Sequence, residues 1–219
     1  MSKKQFDLIV FDWDGTLMDS TATIVKCIQA AARDLGLEEP SREAASHVIG
    51  LSLQQAMHTA LPGLDPRHYQ HAVERYRYHY LTQDQELVLF EGVREMLADL
   101  AGQGYFLAVA TGKNRVGLNR ALQTVGLTSI FDATRCADET FSKPHPAMLL
   151  ELTRELGQDM GRTLMIGDTT HDLQMAVNAG AAGIGVQYGA HPEEQLRSLD
   201  PLYVADSTVA LHAWLSEHA

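Results

Sequence analysis

Cysteine is scarce in this chain: there are two among 219 residues, Cys27 and Cys136. They lie far apart and form no metal-type spacing, so a disulfide framework is not expected and reduced thiols are the default. Long apolar runs are missing too. No segment approaches the ~18 consecutive apolar residues of a membrane span. The opening MSKKQFD has two lysines but no apolar signal core behind them. These shortages predict a cytoplasmic protein with no membrane partner. Positive charge is also short, with 17 Lys and Arg against 28 Asp and Glu and a formal net charge of −11. That disfavours nucleic acid, because phosphate-backbone binding needs a basic stripe. A small anionic substrate is not excluded, since one site can be positive while the whole is negative. There are no internal repeats or low-complexity tracts, and the ten histidines show no zinc-type spacing.

What is present is an ordinary globular composition, 45% hydrophobic and 21% charged, long enough for one core plus a modest appendage. Five apolar runs read as buried strands: residues 8–11, 105–110, a weaker 133–136, 163–166 and 182–186. Helical patterns separate most of them. Val93, Met96, Leu97 and Leu100 form one apolar face. Val116, Ala121, Leu122 and Val125 form a second, stopped by Gly126, and residues 169–179 a third, closed by Gly180. Strands alternating with helices predict an α/β doubly wound parallel sheet.

Residues 17–87 break the alternation, with helical patterns and no convincing strand. Ile24, Ile28, Ala31 and Leu35 mark one helix. Ser52 with Gln55 opens another in the manner of a capping box, and Tyr69, Val73, Tyr76 and Tyr80 make a third stripe, read as core. A helical block of roughly 70 residues between the first and second strands reads as an inserted cap, giving a core of residues 1–16 and 91–219 and a cap of residues 17–90. Beyond Pro192, a short segment at 202–204 and a last helix ending near Leu215 complete the chain.

In open parallel sheets, sites form at the carboxyl ends of strands. The first run ends in Asp12-Trp13-Asp14-Gly15-Thr16, the second in Thr111-Gly112-Lys113. Lys143-Pro144-His145-Pro146 follows the third, and Gly167-Asp168-Thr169-Thr170-His171-Asp172 the fourth. Several acids, a hydroxyl and a lysine thus gather at one edge. Two carboxylates two residues apart at a buried strand end repel each other, so a positive partner is expected between them.

With these four motifs in this order, the chain resembles a haloacid dehalogenase superfamily hydrolase with a helical cap, similar to phosphoglycolate phosphatases. The resemblance spans essentially the whole chain. It implies that Asp12 is the nucleophile, forming an aspartyl-phosphate that water then cleaves. Asp14 would serve as general acid and then base. Asp12, the Asp14 carbonyl and Asp168 would supply oxygen ligands to Mg²⁺, with Asp172 behind them holding a water or Lys143. Thr111 and Gly112 would bind phosphate together with Lys143, which would neutralise both the nucleophile and the transferring phosphoryl. Gly50 and Ser52, in the stretch Val48-Ile49-Gly50-Leu51-Ser52, would face substrate from the cap. Hinges are expected at residues 17–20 and 90–92.

Plainer roles compete at several positions. Thr111 suits a helix N-cap, Asp172 a first-turn acid offsetting the helix dipole, and His171 a structural or solvent-facing place. Lys113 completes a Thr-x-Lys pattern common in phosphoglycolate phosphatases, with Gly112 where Asn is usual. Within the resemblance, Asp14 argues against a dehalogenase, and a cap whose one lysine is Lys26 argues against a phosphonatase. A phosphatase of small phosphorylated metabolites is favoured over a β-phosphoglucomutase-like mutase, for which Arg33, Arg42, Arg67, Arg75 and Arg77 are the second-phosphate candidates. Nucleotidase and pyrophosphatase activity stay open, as do monomer and homodimer. Receivers of about a hundred residues have no cap, and a phospho-Asp switch is the disfavoured non-enzyme alternative.

Overall fold

A computed structural model describes residues 4–83 and 88–219. The opening residues 1–3 and the end of the predicted helical block, residues 84–87, lie outside the described residues. Strand β1 (Leu8–Phe11) is buried at every position, as a strand covered on both faces must be. It is the centre of a six-stranded, wholly parallel sheet with β2 (Phe106–Thr111), β3 (Ala133–Cys136), β4 (Thr163–Gly167), β5 (Ala182–Val186) and β6 (Tyr203–Ala205) in the order β3-β2-β1-β4-β5-β6. The chain order reverses between β1 and β4, which makes the end of β1 the switch point of a Rossmann-like sheet.

Successive strand residues face opposite layers. Ile9 and Phe11 join one cluster with Val109, Ile166, Leu97 and Leu211, under α5 (Val93–Gly102), α6 (Arg115–Thr124) and α10 (Thr208–His218). Leu8 and Val10 join a second with Met148, Leu152 and Met175, under α7 (Ala147–Leu156) and α8 (Thr170–Ala179). Short α9 (Glu193–Arg197) packs Leu196 against Leu173 and Val204. The α6 face differs from the sequence reading, because Val116 is 75% exposed and Leu118 takes the buried place. Helix α7, with Met148, Leu149 and Leu152 buried, supplies a crossover from β3 to β4 that the sequence reading does not include.

The helical cap is α1 (Thr21–Asp34), α2 (Arg42–His47), α3 (Leu53–Ala60) and α4 (Tyr69–Gln83), with its own apolar cluster of Ile24, Ile28, Val48, Met57 and Val73. Tyr69, Tyr76 and Tyr80 pack partly buried against it, as the stripe predicts. Its two connections to the sheet are fastened to each other: Asp19 N–H donates to the Val88 carbonyl (2.9 Å), and Phe90 N–H to the Leu17 carbonyl (3.0 Å).

Candidate active site

Register sets the depth of the site. Phe11 pairs with Val109 on one side and Ile166 on the other, so Asp12 emerges level with the ends of β2 and β4. Thr111 closes β2, and Asp168 follows β4 directly. Asp12, Asp168, Asp172, Thr111 and Lys143 are all buried.

Lys143 is the electrostatic pivot. Its Nζ lies 2.6 Å from Asp12 Oδ1 and 2.6 Å from Asp172 Oδ1. A buried ammonium is costly unless paired. Burial alone would lower the Lys143 pKa, but the carboxylates of Asp12 and Asp172 outweigh it and raise it. Asp172 Oδ2 accepts from the Thr169 hydroxyl at 2.7 Å and from the Thr169 amide at 3.1 Å, completing a capping box at the start of α8. Asp172 therefore fills both the helix-terminal role and the lysine-holding role.

Asp168 is held by the Thr16 hydroxyl on Oδ1 (2.9 Å) and the Ala190 amide on Oδ2 (2.7 Å). The Asp14–Gly15 turn presses against it: Gly15 has φ +85°, and a Cβ there would sit 2.1 Å from Asp168 Oδ2. Only glycine fits that turn.

Asp12, Asp168 and Asp172 bring carboxylate oxygens within 4.8 Å of one another. Burial pushes the Asp12 carboxyl from its ordinary 3.8 up to about 7, although Lys143 pulls it down. Asp168 is raised by burial and then by the charges of Asp12 and Asp172. Counting Asp14 with Lys113, four carboxylates face two ammonium groups. The raised Asp12 and Asp168 carboxyls express that deficit of positive charge, which a divalent cation would supply. Asp12 Oδ2 is buried with no hydrogen-bond partner. An all-carboxylate oxygen set with one unsatisfied buried oxygen fits a hard cation such as Mg²⁺.

Asp14 faces away from that cluster. Its Oδ1 accepts from the Ser20 hydroxyl at 2.6 Å, and its Oδ2 lies 3.0 Å from Lys113 Nζ. Ser20 is the N-cap residue of α1, yet it makes no side-chain capping bond there; its hydroxyl goes to Asp14 instead. Sequence reading gives no site role to Thr16, Ser20 or Tyr80. Their signals are faint, since a Thr or Ser near a helix start has an ordinary capping role.

The cap touches this edge mostly through backbone. A Cβ on Gly112 would lie 2.3 Å from the Leu51 carbonyl oxygen and 2.7 Å from that of Gly50. Glycine at this position thus lets the Gly50–Leu51 backbone lie against the turn that follows β2. Ser52 caps α3 through Oγ to the Gln55 amide (3.4 Å), but its own N–H crosses to Ser142 Oγ (2.8 Å). That makes it half of a capping box, with the other half spent on the cap–core contact. His171 Nε2 donates to the His47 carbonyl at 2.8 Å. His191 accepts the Thr170 amide at Nδ1 (3.0 Å), which leaves Nε2 to donate to the same carbonyl (3.2 Å). His171 is therefore a cap–core contact. Trp13 is buried, edge-on to Phe131 at 6.4 Å, and belongs to the core.

A parallel sheet with a helical cap, a buried aspartate paired to lysine at the switch point and a carboxylate cluster beside it define a hydrolase that works on phosphate esters through an aspartate. The chain belongs to the haloacid dehalogenase-like hydrolases, whose family model matches residues 9–186. It is 44% identical over 207 residues to "Probable phosphatase IndB" of Dickeya dadantii, covering 91% of this chain and 89% of that protein. To a 5'-nucleotidase of Pseudomonas aeruginosa it is 34% identical over 212 residues, covering 96% of each. The crystal structure of a "predicted phosphoglycolate phosphatase" from Haemophilus somnus superposes with a TM-score of 0.84 at 26% identity, covering 99% of both chains. The protein is thus an enzyme, a phosphatase of small phosphate esters with an aspartate nucleophile.

Proposed function

We propose that this phosphatase hydrolyses small organic phosphate monoesters of the phosphoglycolate type with Mg²⁺, in the cytoplasm, as a monomer or homodimer. The division into a core of residues 1–16 and 91–219 and a cap of residues 17–90 is part of the same reading, supported by the separate apolar cluster of the cap. The observation that carries the chemistry is Asp12: buried, held at Oδ1 by Lys143, and with Oδ2 unsatisfied.

In this reading Asp12 attacks phosphorus, and Lys143 balances the charge that would otherwise repel an anionic ester. Asp14 gives its proton to the departing oxygen. It then takes one from the water that cleaves the aspartyl-phosphate, regenerating Asp12. The Thr111 hydroxyl and the Gly112 amide bind phosphate oxygens together with Lys143. Asp12, Asp168 and the Asp14 carbonyl would hold Mg²⁺, which would offset phosphoryl charge. Asp172 fixes Lys143, and the Gly50–Ser52 turn bounds the leaving group. A mutase needs a second phosphate site in the cap. Its arginine candidates argue against one: Arg33, Arg67 and Arg75 pair with Glu39, Asp65 and Asp34, and Arg42 and Arg77 are exposed.

The test is phosphate release from phosphoglycolate, sugar phosphates, nucleoside monophosphates and pyrophosphate, with Mg²⁺ or with EDTA. Phosphoglycolate is expected to turn over fastest, EDTA to silence the enzyme, and Asp12→Asn to lower kcat by about 10⁴-fold or more. A nucleoside monophosphate turning over fastest would replace the substrate assignment, and full activity in Asp12→Asn would overturn the mechanism.

A further inference from the structure

Lys113 has no part in the mechanism above, yet it is placed as if it did. It sits in the loop leaving β2, two residues after Thr111, with a side chain only 12% exposed. Its backbone is tied to the core: its N–H donates to Thr111 Oγ1 (3.2 Å), and its carbonyl accepts the Ala137 amide (3.0 Å). Its ammonium lies 3.0 Å from Asp14 Oδ2, donates to the Tyr80 hydroxyl at 2.9 Å, and stands 4.6 Å from the centre of the Tyr80 ring. Tyr80 belongs to cap helix α4 and stacks on Tyr76 at 5.8 Å.

Taking an ammonium out of water is unfavourable unless a carboxylate meets it. The acid used here is the one that must meet the leaving oxygen. With Ser20 on Oδ1 and Lys113 on Oδ2, both carboxyl oxygens have fixed partners, so the plane of the group is fixed as well. Lysine has a flexible stem and three donors; Tyr80 restrains it from the opposite side of the cap–core boundary.

We propose that Lys113 is the positioning residue for the Asp14 carboxyl, and that Tyr80 positions Lys113 from the cap, so that the proton donor is aligned when α4 lies against the sheet domain. This rests on the reading of Asp14 as general acid. It predicts a signature tied to the leaving group. An alkyl phosphate needs its departing oxygen protonated, whereas p-nitrophenyl phosphate releases a stable phenolate that does not.

The experiment measures the single-turnover rate of leaving-group release, together with KM, with Mg²⁺ on the best alkyl phosphate of the panel and on p-nitrophenyl phosphate, so that the later water attack, which Asp14 also serves and both esters share, stays out of the comparison. The variants are Lys113→Met, Lys113→Arg, Tyr80→Phe, the Lys113→Met/Tyr80→Phe double and Asp14→Asn. Lys113→Met should lower that release rate for the alkyl ester about 100-fold and for the nitrophenyl ester less than about tenfold, with KM moving within about threefold. Tyr80→Phe, which keeps the ring, should show the same preference at roughly tenfold, and the double variant should match Lys113→Met alone. Lys113→Arg should recover part of the alkyl-ester rate. Equal losses on both esters, an effect confined to KM (a substrate-binding lysine), or additive losses in the double variant would each overturn the proposal. Asp14→Asn separates the two levels. If it fails to discriminate between the esters, the general-acid reading falls; if it discriminates and Lys113→Met does not, only the role of Lys113 falls.

Discussion

The sheet domain buries polar and charged side chains beside its apolar layers, among them Asp12, Thr111, Lys143, Asp168, Thr169 and Asp172. Among the described residues of the helical cap, Thr21–Gln83, every buried side chain is apolar. The cap's charges lie outside, in pairs such as Arg33 with Glu39 and Arg75 with Asp34. One region holds ionised groups out of water in fixed geometry, where pairing is mandatory. The other is a packed lid whose ion pairs are screened by solvent and carry little energy. Where they meet, the cap gives mainly backbone: the Gly50 and Leu51 carbonyls, the His47 carbonyl and the Ser52 amide. Tyr80 is the side chain that reaches across to the acid-bearing network.

The contrast breaks most readily at Lys143. Lys143→Met strands Asp12 and Asp172 in the interior without a cation, and about 3–5 kcal/mol of stability should be lost in EDTA, read by urea unfolding. The sign of its pH dependence follows from Asp12. A carboxyl whose folded pKa is raised, here to about 7, destabilises the fold as pH climbs from its ordinary value through that range. Removing Lys143 should steepen that slope, so the loss is greatest at alkaline pH and shrinks on acidification. A flat difference across pH would mean the lysine is not balancing these acids.

A smaller and different effect is expected at Gly112→Ala. The backbone there admits alanine, but the new methyl would meet the Leu51 carbonyl at 2.3 Å. The cap should seat poorly, with kcat/KM falling about 100-fold while the unfolding midpoint stays nearly constant. A matching loss of stability would show that the contact serves folding rather than closure. Smallest of all is Arg75→Ala, which removes a half-exposed cap ion pair with Asp34. Turnover should remain within about twofold of the parent, and a larger drop would give the cap surface a part in substrate capture.

The same contrast decides what can be read from the sequence. Strand β1 is legible because a strand buried on both faces must be written as an unbroken apolar run. The motifs of the candidate site are legible because acids and a lysine at buried strand ends are costly to keep without a chemical use. Helix α2 is not: of its residues Arg42–His47 only Ala45 is buried, so no apolar stripe marks it. Within the cap, Gly50 and Ser52 are marked only by the family resemblance, because a carbonyl or amide contact leaves no trace in residue type. Val116 reads as buried because the spacing of apolar residues does not say which of two neighbouring stripes meets the sheet. Tyr80 reads as core because its ring is core; its hydroxyl partner lies on another element, 33 positions away.

The paired connections at Asp19–Val88 and Phe90–Leu17 have a mechanical consequence. Two separate tethers would let a lid slide, tilt and twist. Two tethers bonded to each other leave it less of that freedom. The insert thus leaves and rejoins the sheet domain at one fastened place, where residues 17–19 meet residues 88–90.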